Sequence, residues 1–301
     1  MNKRILVTGA EGFIGKYLLD ELGNRGVEYL ATDVISEEIV QKENYRKVSL
    51  LHKEEIRKVV RDYQPDVVVH LAAIALVTHE NIPEIYEVNV CGTENLLSVL
   101  AEEQKNKTRV VLMSTAGVYG NQDAEFYDES LPYKPSNHYS FSKMITEYLS
   151  KEYEESLDIK IVRPFNIIGT GQKETFLIPK LVKYFAERVD RIPLGNISSI
   201  RDYISVEYCA FVIAELSLRD QVNFKELNIC SGIGHSGEDA VRFLETYTGH
   251  VPEIDITQTF VRKNEVWRLV GDPTRLHSFV GKDRGNTFEE ILVNMLENYK
   301  G

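Results

Sequence analysis

The chain has 301 residues, more than a single domain usually contains, so we expect a large core domain together with a smaller lobe. Its 46 acidic and 35 basic side chains give a formal net charge of −11, which argues against a nucleic-acid binder because such proteins carry a basic surplus or stripe. No apolar run approaches membrane-spanning length and the N-terminal residues enter a strand almost at once, so we expect no membrane contact, no signal peptide and a cytoplasmic location.

The first 165 residues alternate between short apolar runs rich in β-branched residues and amphipathic stretches with helical spacing. The runs lack the apolar/polar alternation of half-exposed strands, which is typical of strands covered on both faces of a parallel sheet. The apolar runs are RILVTG, EYLATD, DVVVHLAA, TRVVLMST and IKIVRPFN. This pattern predicts an α/β fold with a doubly wound parallel sheet.

Three glycines occupy the first connection between a strand and a helix. In TGAEGFIG, Gly9 suits a tight turn, Gly12 lets the backbone approach a pyrophosphate and Gly15 allows close packing of helix on strand. The N–H groups that begin the helix favour an anion. The first two glycines are one residue further apart than in the usual dinucleotide fingerprint, and such turns also occur for packing alone. In its strand–turn–helix context the motif predicts a Rossmann-type NAD(P)-binding domain over residues 1–165.

The second apolar run ends in an acid. Asp33 lies 18 residues after Gly15, where a carboxylate can accept hydrogen bonds from the adenosine ribose of a dinucleotide. It would repel a 2′-phosphate and no arginine follows it closely, so NAD(H) is favoured over NADP(H) as the cofactor. The alternative interpretation is a solvated acid at the end of a strand.

A tyrosine and a lysine share one face of a helix in HYSFSKMITEYL. Tyr139 and Lys143 stand at positions i and i+4, and a nearby ammonium group lowers the pKa of a phenol. Tyr139 could then exchange a proton with a substrate oxygen. A surface tyrosine packed on a lysine stem would have the same spacing. Thr115, in the strand-end sequence MSTAGVYG, is expected to emerge beside this helix and to hydrogen-bond the same oxygen.

The pattern loosens after about Asn166. Two stretches, FLIPKLVKYFAER and GEDAVRFLETYTG, have helical spacing among short strands and loops. We expect a smaller C-terminal α/β lobe over residues 166–301 that closes over the carboxyl edge of the sheet, where ligands of open α/β sheets bind. The stretch RDYISVEYCAFVIAELSL, near residues 202–218, is expected to return to the main domain as a buried helix.

The three cysteines lie far apart in apolar or helical context. Cys91, Cys209 and Cys230 have neither the spacing of metal ligands nor that of a disulfide framework. We therefore expect buried thiols in a reducing compartment and no metal site.

Taken together, these motifs resemble the extended short-chain dehydrogenase/reductases that act on nucleotide-diphosphate sugars, the NAD-dependent epimerase/dehydratase family. The resemblance covers nearly the whole chain, with the motifs in the family's order and approximate spacing. The matching stretches are TGAEGFIG, DVVVHLAA, NVCGTENLL, STAGVYG, YSFSK and VRPFNIIGTGQ.

The resemblance implies roles for individual residues. Thr115, Tyr139 and Lys143 would be catalytic, with Lys143 also holding the nicotinamide ribose and Tyr139 also touching the cofactor. Asn89 would support the geometry of the active site. The other implied cofactor-binding residues are Gly9, Gly12, Phe13, Ile14, Gly15, Asp33, Ser49, Leu50, Leu71, Ala72 and Ala73. Ser49 departs from the family, which usually has an acid there; its hydroxyl can still hydrogen-bond the adenine, without a carboxylate's charge.

The second half implies a nucleotide-sugar substrate. Arg201 matches an arginine that contacts the diphosphate, a role that suits forked guanidinium donors, and Asn166 matches an asparagine on the phosphates. Arg262 matches a further arginine near the nucleotide, and Thr115 would contact the sugar. Either arginine could instead be solvated or salt-bridged. Asp202 is expected to orient a backbone or the neighbouring arginine and not to perform chemistry.

Several reactions fit such a protein. Dehydratases of the family have Thr-Asp-Glu where this chain has Thr115, Ala116 and Gly117, so the acid/base pair for eliminating water is missing. The chain resembles most closely the reductases of nucleotide-linked 4-keto-6-deoxyhexoses, and this reaction is favoured. An NAD-dependent 4-epimerase is the alternative, and NADP(H) is also compatible with the resemblance. A regulatory protein that binds a dinucleotide without catalysis is disfavoured by the intact Thr, Tyr and Lys set.

The resemblance also implies assembly. The helices that begin near Asn89 and Tyr139 match those that pair subunits into a four-helix bundle in the family. A homodimer is therefore expected, which exposed apolar residues on those helices would support.

Overall fold

The computed structural model describes residues 3–75, 79–103, 107–256, 266–282 and 285–300. The chain forms two compact units. The first comprises Met1–Val118, Tyr133–Arg163 and Ala210–Leu227, and the second comprises Tyr119–Pro132, Pro164–Cys209 and Asn228–Gly301.

The secondary structure is named here in chain order. The described strands are β1 (Ile5–Thr8), β2 (Tyr29–Asp33), β3 (Tyr45–Lys47), β4 (Val67–His70), β5 (Arg109–Met113), β6 (Asp158–Pro164), β7 (Asn166–Ile168), β8 (Arg191–Leu194), β9 (Ile200–Ser205), β10 (Glu226–Ile229), β11 (Gly234–His235), β12 (Glu253–Ile256) and β13 (Arg268–Leu269). The described α-helices are α1 (Phe13–Asn24), α2 (Glu37–Val40), α3 (Lys53–Tyr63), α4 (Ile82–Tyr86), α5 (Gly92–Glu103), α6 (His138–Ser150), α7 (Leu177–Ala186), α8 (Val206–Leu218), α9 (Gly237–Thr248), α10 (Thr274–Val280) and α11 (Phe288–Glu297). A π-helical turn, Glu87–Cys91, and two 3₁₀ turns, Ala116–Tyr119 and Lys151–Tyr153, complete them.

The main sheet has the order β10-β6-β5-β4-β1-β2-β3, seven strands among the described residues. The registers from β3 through β6 are parallel. Strands β2 and β3 lie on one side of β1, and β4, β5, β6 and β10 lie on the other. The order therefore reverses at β1 and β4, which confirms the doubly wound sheet and places its switch point where such folds bind ligands.

Burial on both faces explains the continuous apolar runs. All four residues of β1 and all four of β4 are buried. Side chains from α3 and α5 cover one face and share a hydrophobic cluster with the strands, in which Val60, Val68, Leu96 and Leu100 have no exposed surface. Strands that bury both faces need no polar side, so their sequences do not alternate.

The second unit contains two small sheets and its own hydrophobic core. Strand β9 pairs with β11, β13 and β7, and β12 pairs with β8. Helices α7, α9 and α11 pack together, with Leu181, Phe185, Leu244 and Leu292 almost completely buried. The helices expected in FLIPKLVKYFAER and GEDAVRFLETYTG are confirmed as α7 and α9.

One expected helix is in part a strand. The stretch expected to be a single buried helix forms β9 over Ile200–Ser205 before α8 begins at Val206. Tyr203 pairs with Asn166 in β7, so neighbouring strands override any helical preference of these residues. The Ser205 hydroxyl accepts a hydrogen bond from the Tyr208 N–H at 3.1 Å, which stabilises the start of the helix at the next residue.

The expectation of three buried thiols is wrong for one of them. Cys209 and Cys230 are buried, whereas Cys91 is exposed. Cys91 ends the π-helical turn on the outer side of its helix, while Asn89, two residues earlier, faces the interior. Within the described ranges, no helix is both long and apolar enough to cross a bilayer.

Candidate active site

The glycine turn leaves no room for side chains where β1 meets α1. Gly9 has φ +68°, a conformation that favours glycine, and a Cβ there would lie 2.6 Å from the Ala72 nitrogen. A Cβ on Gly15 would lie 2.5 Å from the Gly9 and Ala10 carbonyl oxygens. Gly12 precedes α1, and no side chain caps its first turn among the described residues. The turn therefore presents helix N–H groups at the switch point of the sheet, a geometry that fits a dinucleotide pyrophosphate.

Phe13 and Ile14 form the first turn of α1, directly after Gly12, and both are partly buried. Asp33 ends β2 beside the glycine turn. Its carboxylate accepts hydrogen bonds from the Glu11 N–H at 3.0 Å and the Val34 N–H at 2.7 Å. The acid is therefore held by backbone donors next to the loop that would receive the phosphates, as an adenosine-ribose acceptor needs to be.

The predicted residues after β3 and β4 have different surroundings. Leu50 is buried in the hydrophobic core, and its carbonyl accepts a hydrogen bond from Asn95 at 2.9 Å. Ser49 lies just before it, with its N–H bound to Glu55 at 3.0 Å. Leu71, Ala72 and Ala73 follow β4 and are partly buried. Among these, Leu71 donates its N–H to the Thr8 carbonyl at 3.2 Å, which aligns this loop with the glycine turn.

The proposed catalytic side chains come from the end of β5 and the start of α6. The Asn137 side chain accepts the Ser140 N–H at 2.9 Å and so begins the helix just before Tyr139. The Thr115 side chain lies near enough to the Tyr139 hydroxyl to lower the pKa of that phenol. Lys143, one helical turn further, is buried and donates its ammonium group to the Met113 carbonyl at 2.8 Å. The structure thus brings the three residues together within the first unit.

Thr115 is oriented by its own loop. Its Oγ1 accepts a hydrogen bond from the Gly117 N–H at 3.0 Å, which occupies one lone pair and leaves the hydroxyl proton for another acceptor. A Cβ at Gly117 would lie 2.5 Å from Ser140 Oγ and 3.3 Å from Thr115 Oγ1. Glycine at this position therefore lets the strand end approach the helix that carries Tyr139.

Burial shifts both titratable groups of this set. Burial raises the pKa of Tyr139 to about 12, and the hydrogen bond with Thr115 opposes this increase. Burial lowers the pKa of Lys143 to about 8, and the negative charge of Glu147 opposes that decrease. The sequence led us to expect a lowered tyrosine pKa. Within the polypeptide the shift is in the other direction, because desolvation disfavours the phenolate more than the neighbouring groups stabilise it.

A buried polar chain connects the glycine turn to α5 through His70. The Thr93 hydroxyl donates its proton to the Asn89 carbonyl at 2.6 Å, so Thr93 Oγ1 accepts from His70 Nε2–H at 2.9 Å. His70 Nδ1 then accepts the Thr8 hydroxyl proton at 2.7 Å. Burial and the nearby Lys143 charge lower the pKa of His70 to about 3, which keeps the ring neutral. The sequence alone gives no signal for this role of His70, which lies within an apolar strand run.

Asn89 extends the polar chain to the catalytic helix. Its Oδ1 accepts the Ile74 N–H at 2.8 Å, and its Nδ2 donates to the Ile74 carbonyl and to Ser142 Oγ at 2.9 Å. Ser142 donates in turn to the Tyr139 carbonyl at 2.7 Å. Asn89 is fully buried and thus connects the loop after β4 to the first turn of α6.

The predicted substrate residues that the structure describes lie mostly in the second unit. Asn166 donates its Nδ2 to the Asp202 carbonyl at 3.2 Å, and Arg201, the preceding residue on β9, is partly buried. Two of the four predicted residues are therefore neighbours on adjoining strands. Arg262 lies outside the described residues, and Thr115 belongs to the first unit.

Asp202 orients backbone, as the sequence led us to expect. Its carboxylate accepts the Ser231 N–H and hydroxyl at 2.8 and 2.6 Å, the Gly232 N–H at 2.9 Å and the Gly271 N–H at 3.2 Å. The residue is fully buried. It therefore ties β9 to two loops of its unit.

A doubly wound sheet with a glycine turn and an acid at its switch point defines a Rossmann-type dinucleotide-binding protein. A family model described as "NAD dependent epimerase/dehydratase family" matches residues 5–230. The chain belongs to this NAD-dependent family, which confirms the resemblance inferred from its motifs.

Two characterised relatives cover nearly the whole chain. It is 37% identical over 296 residues to the GDP-6-deoxy-D-talose 4-dehydrogenase of Aggregatibacter actinomycetemcomitans, covering 98% of this chain and 97% of that protein. It is 26% identical over 318 residues to the GDP-6-deoxy-D-mannose reductase of Pseudomonas aeruginosa, covering 100% of this chain and 98% of that protein.

Solved structures show the same fold with either dinucleotide. The UDP-glucose 4-epimerase of Thermus thermophilus in complex with NAD is 28% identical, with a TM-score of 0.82 and 98% of each chain covered. RMD from Pseudomonas aeruginosa in complex with NADPH is 25% identical, with a TM-score of 0.83 and 98% of each chain covered.

Proposed function

We propose that the protein is a nucleotide-sugar reductase that converts the C4 keto group of a nucleotide-diphosphate-linked 4-keto-6-deoxyhexose to a hydroxyl group. The observation that carries the proposal is the meeting of Thr115, at the end of β5, with Tyr139 and Lys143 of α6, where Lys143 is fixed by the Met113 carbonyl at 2.8 Å. Reduction of a ketone needs a proton donor at the developing alkoxide. The 37% identical relative is a 4-dehydrogenase of a GDP-linked 6-deoxyhexose, which supports chemistry at the same carbon.

Each protein group has a distinct part in this reaction. When bound, the nicotinamide cofactor supplies hydride to the C4 carbon. Tyr139 donates its proton to the C4 oxygen, and the Thr115 hydroxyl orients that oxygen by a hydrogen bond. Lys143 places a positive charge one turn from Tyr139 and offsets the negative charge that remains on the phenolate after the transfer. Asn166 and Arg201 hold the diphosphate and so position the sugar.

We propose NAD(H) in preference to NADP(H). A 2′-phosphate on the adenosine ribose would approach Asp33, and two further acids, Glu37 and Glu38, begin the short helix α2 after it. Negative side chains around the ribose position disfavour an additional phosphate there.

The reaction is tested by NADH oxidation at 340 nm with GDP-, dTDP-, UDP- and CDP-linked 4-keto-6-deoxyhexoses, repeated with NADPH. Steady consumption with one sugar nucleotide is the expected result. No consumption, together with NAD released only on denaturation and interconversion of 4-epimers, would replace the reductase by the alternative 4-epimerase. No turnover in either assay despite NADH binding would identify a non-catalytic dinucleotide binder.

Arg201→Ala tests the diphosphate contact. Loss of a charged hydrogen-bond donor costs about 1.5–3 kcal/mol, so KM for the sugar nucleotide is expected to rise roughly 10- to 100-fold with little change in KM for NADH. Arg191→Ala is the matched control, because Arg191 is a strand residue of the same unit with a side chain 64% exposed and paired with Asp255. Equal substrate affinity in both variants would remove Arg201 from the binding site.

We also propose a homodimer formed through the helices around α4 and α6. Ile82, Phe141 and Tyr148 are 40%, 40% and 50% exposed although they are large apolar or aromatic side chains. Phe141→Asp is expected to convert the dimer to monomer in light scattering after gel filtration. Phe126→Asp, at a residue 43% exposed in the other unit, is expected to leave the mass unchanged. A monomeric wild type, or a dimeric Phe141→Asp variant, would contradict the proposal.

A further inference from the structure

A buried carboxylate lies behind the catalytic lysine. Glu147 follows Lys143 by one helical turn on α6 and has no exposed surface. Its neighbour Arg163, on β6, is only 2% exposed and binds the carboxylate with Nε at 3.1 and 3.2 Å and with Nη2 at 2.6 Å. An ion pair this deep needs further hydrogen bonds to offset its desolvation.

Two hydroxyl groups supply those hydrogen bonds. Tyr133 donates to Glu147 Oε2 at 2.7 Å, and Ser114 donates to Glu147 Oε1. Arg163 also donates to the Tyr133 oxygen at 2.9 Å and lies 5.1 Å from the centre of its ring. Each carboxylate oxygen therefore has a hydroxyl donor as well as the guanidinium group. The carboxylate is held in one orientation inside the first unit.

We propose that Glu147 is the counter-charge that keeps the buried Lys143 protonated during catalysis. Arg163, Tyr133 and Ser114 hold it in that position. Glu147 is thus a positioning residue, since it acts through Lys143. The inference rests on the proposed function in so far as Lys143 serves the reaction.

Among the described groups that face Lys143, Glu147 is the one with a negative charge. The titratable side chains facing the lysine are His70 from β4 and, from its own helix, Tyr139 and Glu147. His70 is neutral, and Tyr139 is a neutral phenol before it gives up its proton. Met113 contributes a carbonyl dipole from β5 without a net charge. Arg163 is positive and is bound to Glu147 and Tyr133.

The consequence for Lys143 follows from two opposing effects. Burial pulls the pKa of the lysine down to about 8, and the Glu147 charge is the effect that opposes this. Without that charge the ammonium group would lose its proton closer to neutral pH. A neutral amine cannot offset the negative charge of the phenolate that Tyr139 becomes. Turnover would therefore begin to fall at a lower pH than in the wild type.

Ser114 gives the carboxylate a second link to the site. It lies between Met113, whose carbonyl binds Lys143, and Thr115, whose side chain lowers the pKa of Tyr139. The Ser114 hydroxyl bond therefore also holds the strand end from which both contacts are made.

The test removes the ion pair as a whole, because removal of one partner leaves a buried charge unpaired and destabilises the fold. In Glu147→Gln with Arg163→Met, the amide oxygen still accepts from one of the two hydroxyl groups of Ser114 and Tyr133, and the amide NH2 can donate to the oxygen of the other. The protonation of Lys143 is followed directly by NMR of ¹³Cε-labelled lysine, with the resonance identified by its loss in Lys143→Arg. We expect its midpoint to fall by roughly half a pH unit in the double variant, because loss of the Arg163 positive charge offsets part of the effect of losing the Glu147 carboxylate. In the kcat–pH profile, the decline on the basic side should move to lower pH by the same amount.

Two controls separate charge from architecture. Glu147→Asp keeps the charge and is expected to retain a midpoint near that of the wild type, while Tyr133→Phe removes a hydrogen bond but no charge and should also leave it in place. If the first double variant fails to fold, Glu147→Leu with Arg163→Met removes the same charges in an apolar form and is expected to give the same shift. An unchanged Lys143 midpoint in the folded double variant would overturn the inference. Because the NMR titration needs no substrate, a shifted midpoint without reductase activity would instead contradict the proposed function alone.

Discussion

Tyr139→Phe is expected to lower kcat by about 10²- to 10⁴-fold, the range that general acid catalysis contributes. The phenol is the proton donor in the proposed reduction, and burial raises its pKa to about 12, so it is protonated throughout the working pH range. Phenylalanine keeps the ring and loses the hydroxyl that would donate the proton. The Kd of the sugar nucleotide, measured by calorimetry, should change by less than a factor of about three, because the diphosphate provides most of the binding.

The matched control for this variant is Tyr148→Phe. Tyr148 lies on the same helix with its ring 4.4 Å from the Lys151 ammonium group, and phenylalanine keeps the ring that the proposed dimer contact uses, so loss of its hydroxyl should leave kcat unchanged. A Tyr139→Phe enzyme with wild-type kcat would remove Tyr139 from the mechanism. Equal losses in both variants would indicate a structural effect on α6 instead of a chemical one.

The sequence predicts the main sheet well because local rules and tertiary structure agree there. Strands such as β1 and β4 are buried on both faces, and their apolar runs stand out from the amphipathic helices between them. The agreement fails at β9. Its residues were expected to be helical, but pairing with strands distant in the sequence decides their conformation, and such pairing leaves no local signal.

The candidate site divides in the same way. Tyr139 and Lys143 were predicted because their spacing on one helix is a local property. Glu147 continues that spacing by one more turn, so its position on the same face was visible, but its partner Arg163 comes from a strand and could not be paired with it from the sequence. His70 looked like part of a buried strand, and its role depends on two threonine hydroxyls that only the fold brings to it.

The direction of the tyrosine pKa could not be predicted either. A lysine four residues away indicates a lowered pKa when charge alone is considered. Burial acts in the opposite direction, and burial depends on every element packed around α6. The sequence therefore identified the candidate acid, Tyr139, and its neighbour Lys143, whereas the burial that sets the protonation of the phenol could be seen only in the structure.

Gly9→Ala is expected to lower the free energy of unfolding by about 2–4 kcal/mol and to weaken NADH binding by at least about tenfold. Two physical effects add at this position. The left-handed backbone at φ +68° disfavours any L side chain, and the new methyl group would lie 2.6 and 2.7 Å from the Ala72 nitrogen and Cα. The Ala72 atoms involved are backbone atoms of the loop after β4, so the overlap cannot be relieved by a rotamer change. That loop and the glycine turn must separate, which displaces the predicted phosphate site.

Two other glycines in the same strand–helix region separate these effects. Gly26 has φ +65° with nothing within 4 Å of an added Cβ, so Gly26→Ala should cost about 1 kcal/mol from the backbone conformation alone. Gly23 lies inside α1, also with open space, and Gly23→Ala should stabilise the protein by about 0.5–1 kcal/mol through helix propensity. Urea unfolding gives the three energies, and fluorescence titration gives NADH affinity, which the two control variants should leave unchanged. If Gly9→Ala were no more costly than Gly26→Ala and bound NADH normally, the close approach of Ala72 would not matter for the cofactor site. A large loss confined to Gly9 would instead show that the turn is shaped by the loop it faces, as a site that brings backbone N–H groups against a pyrophosphate requires.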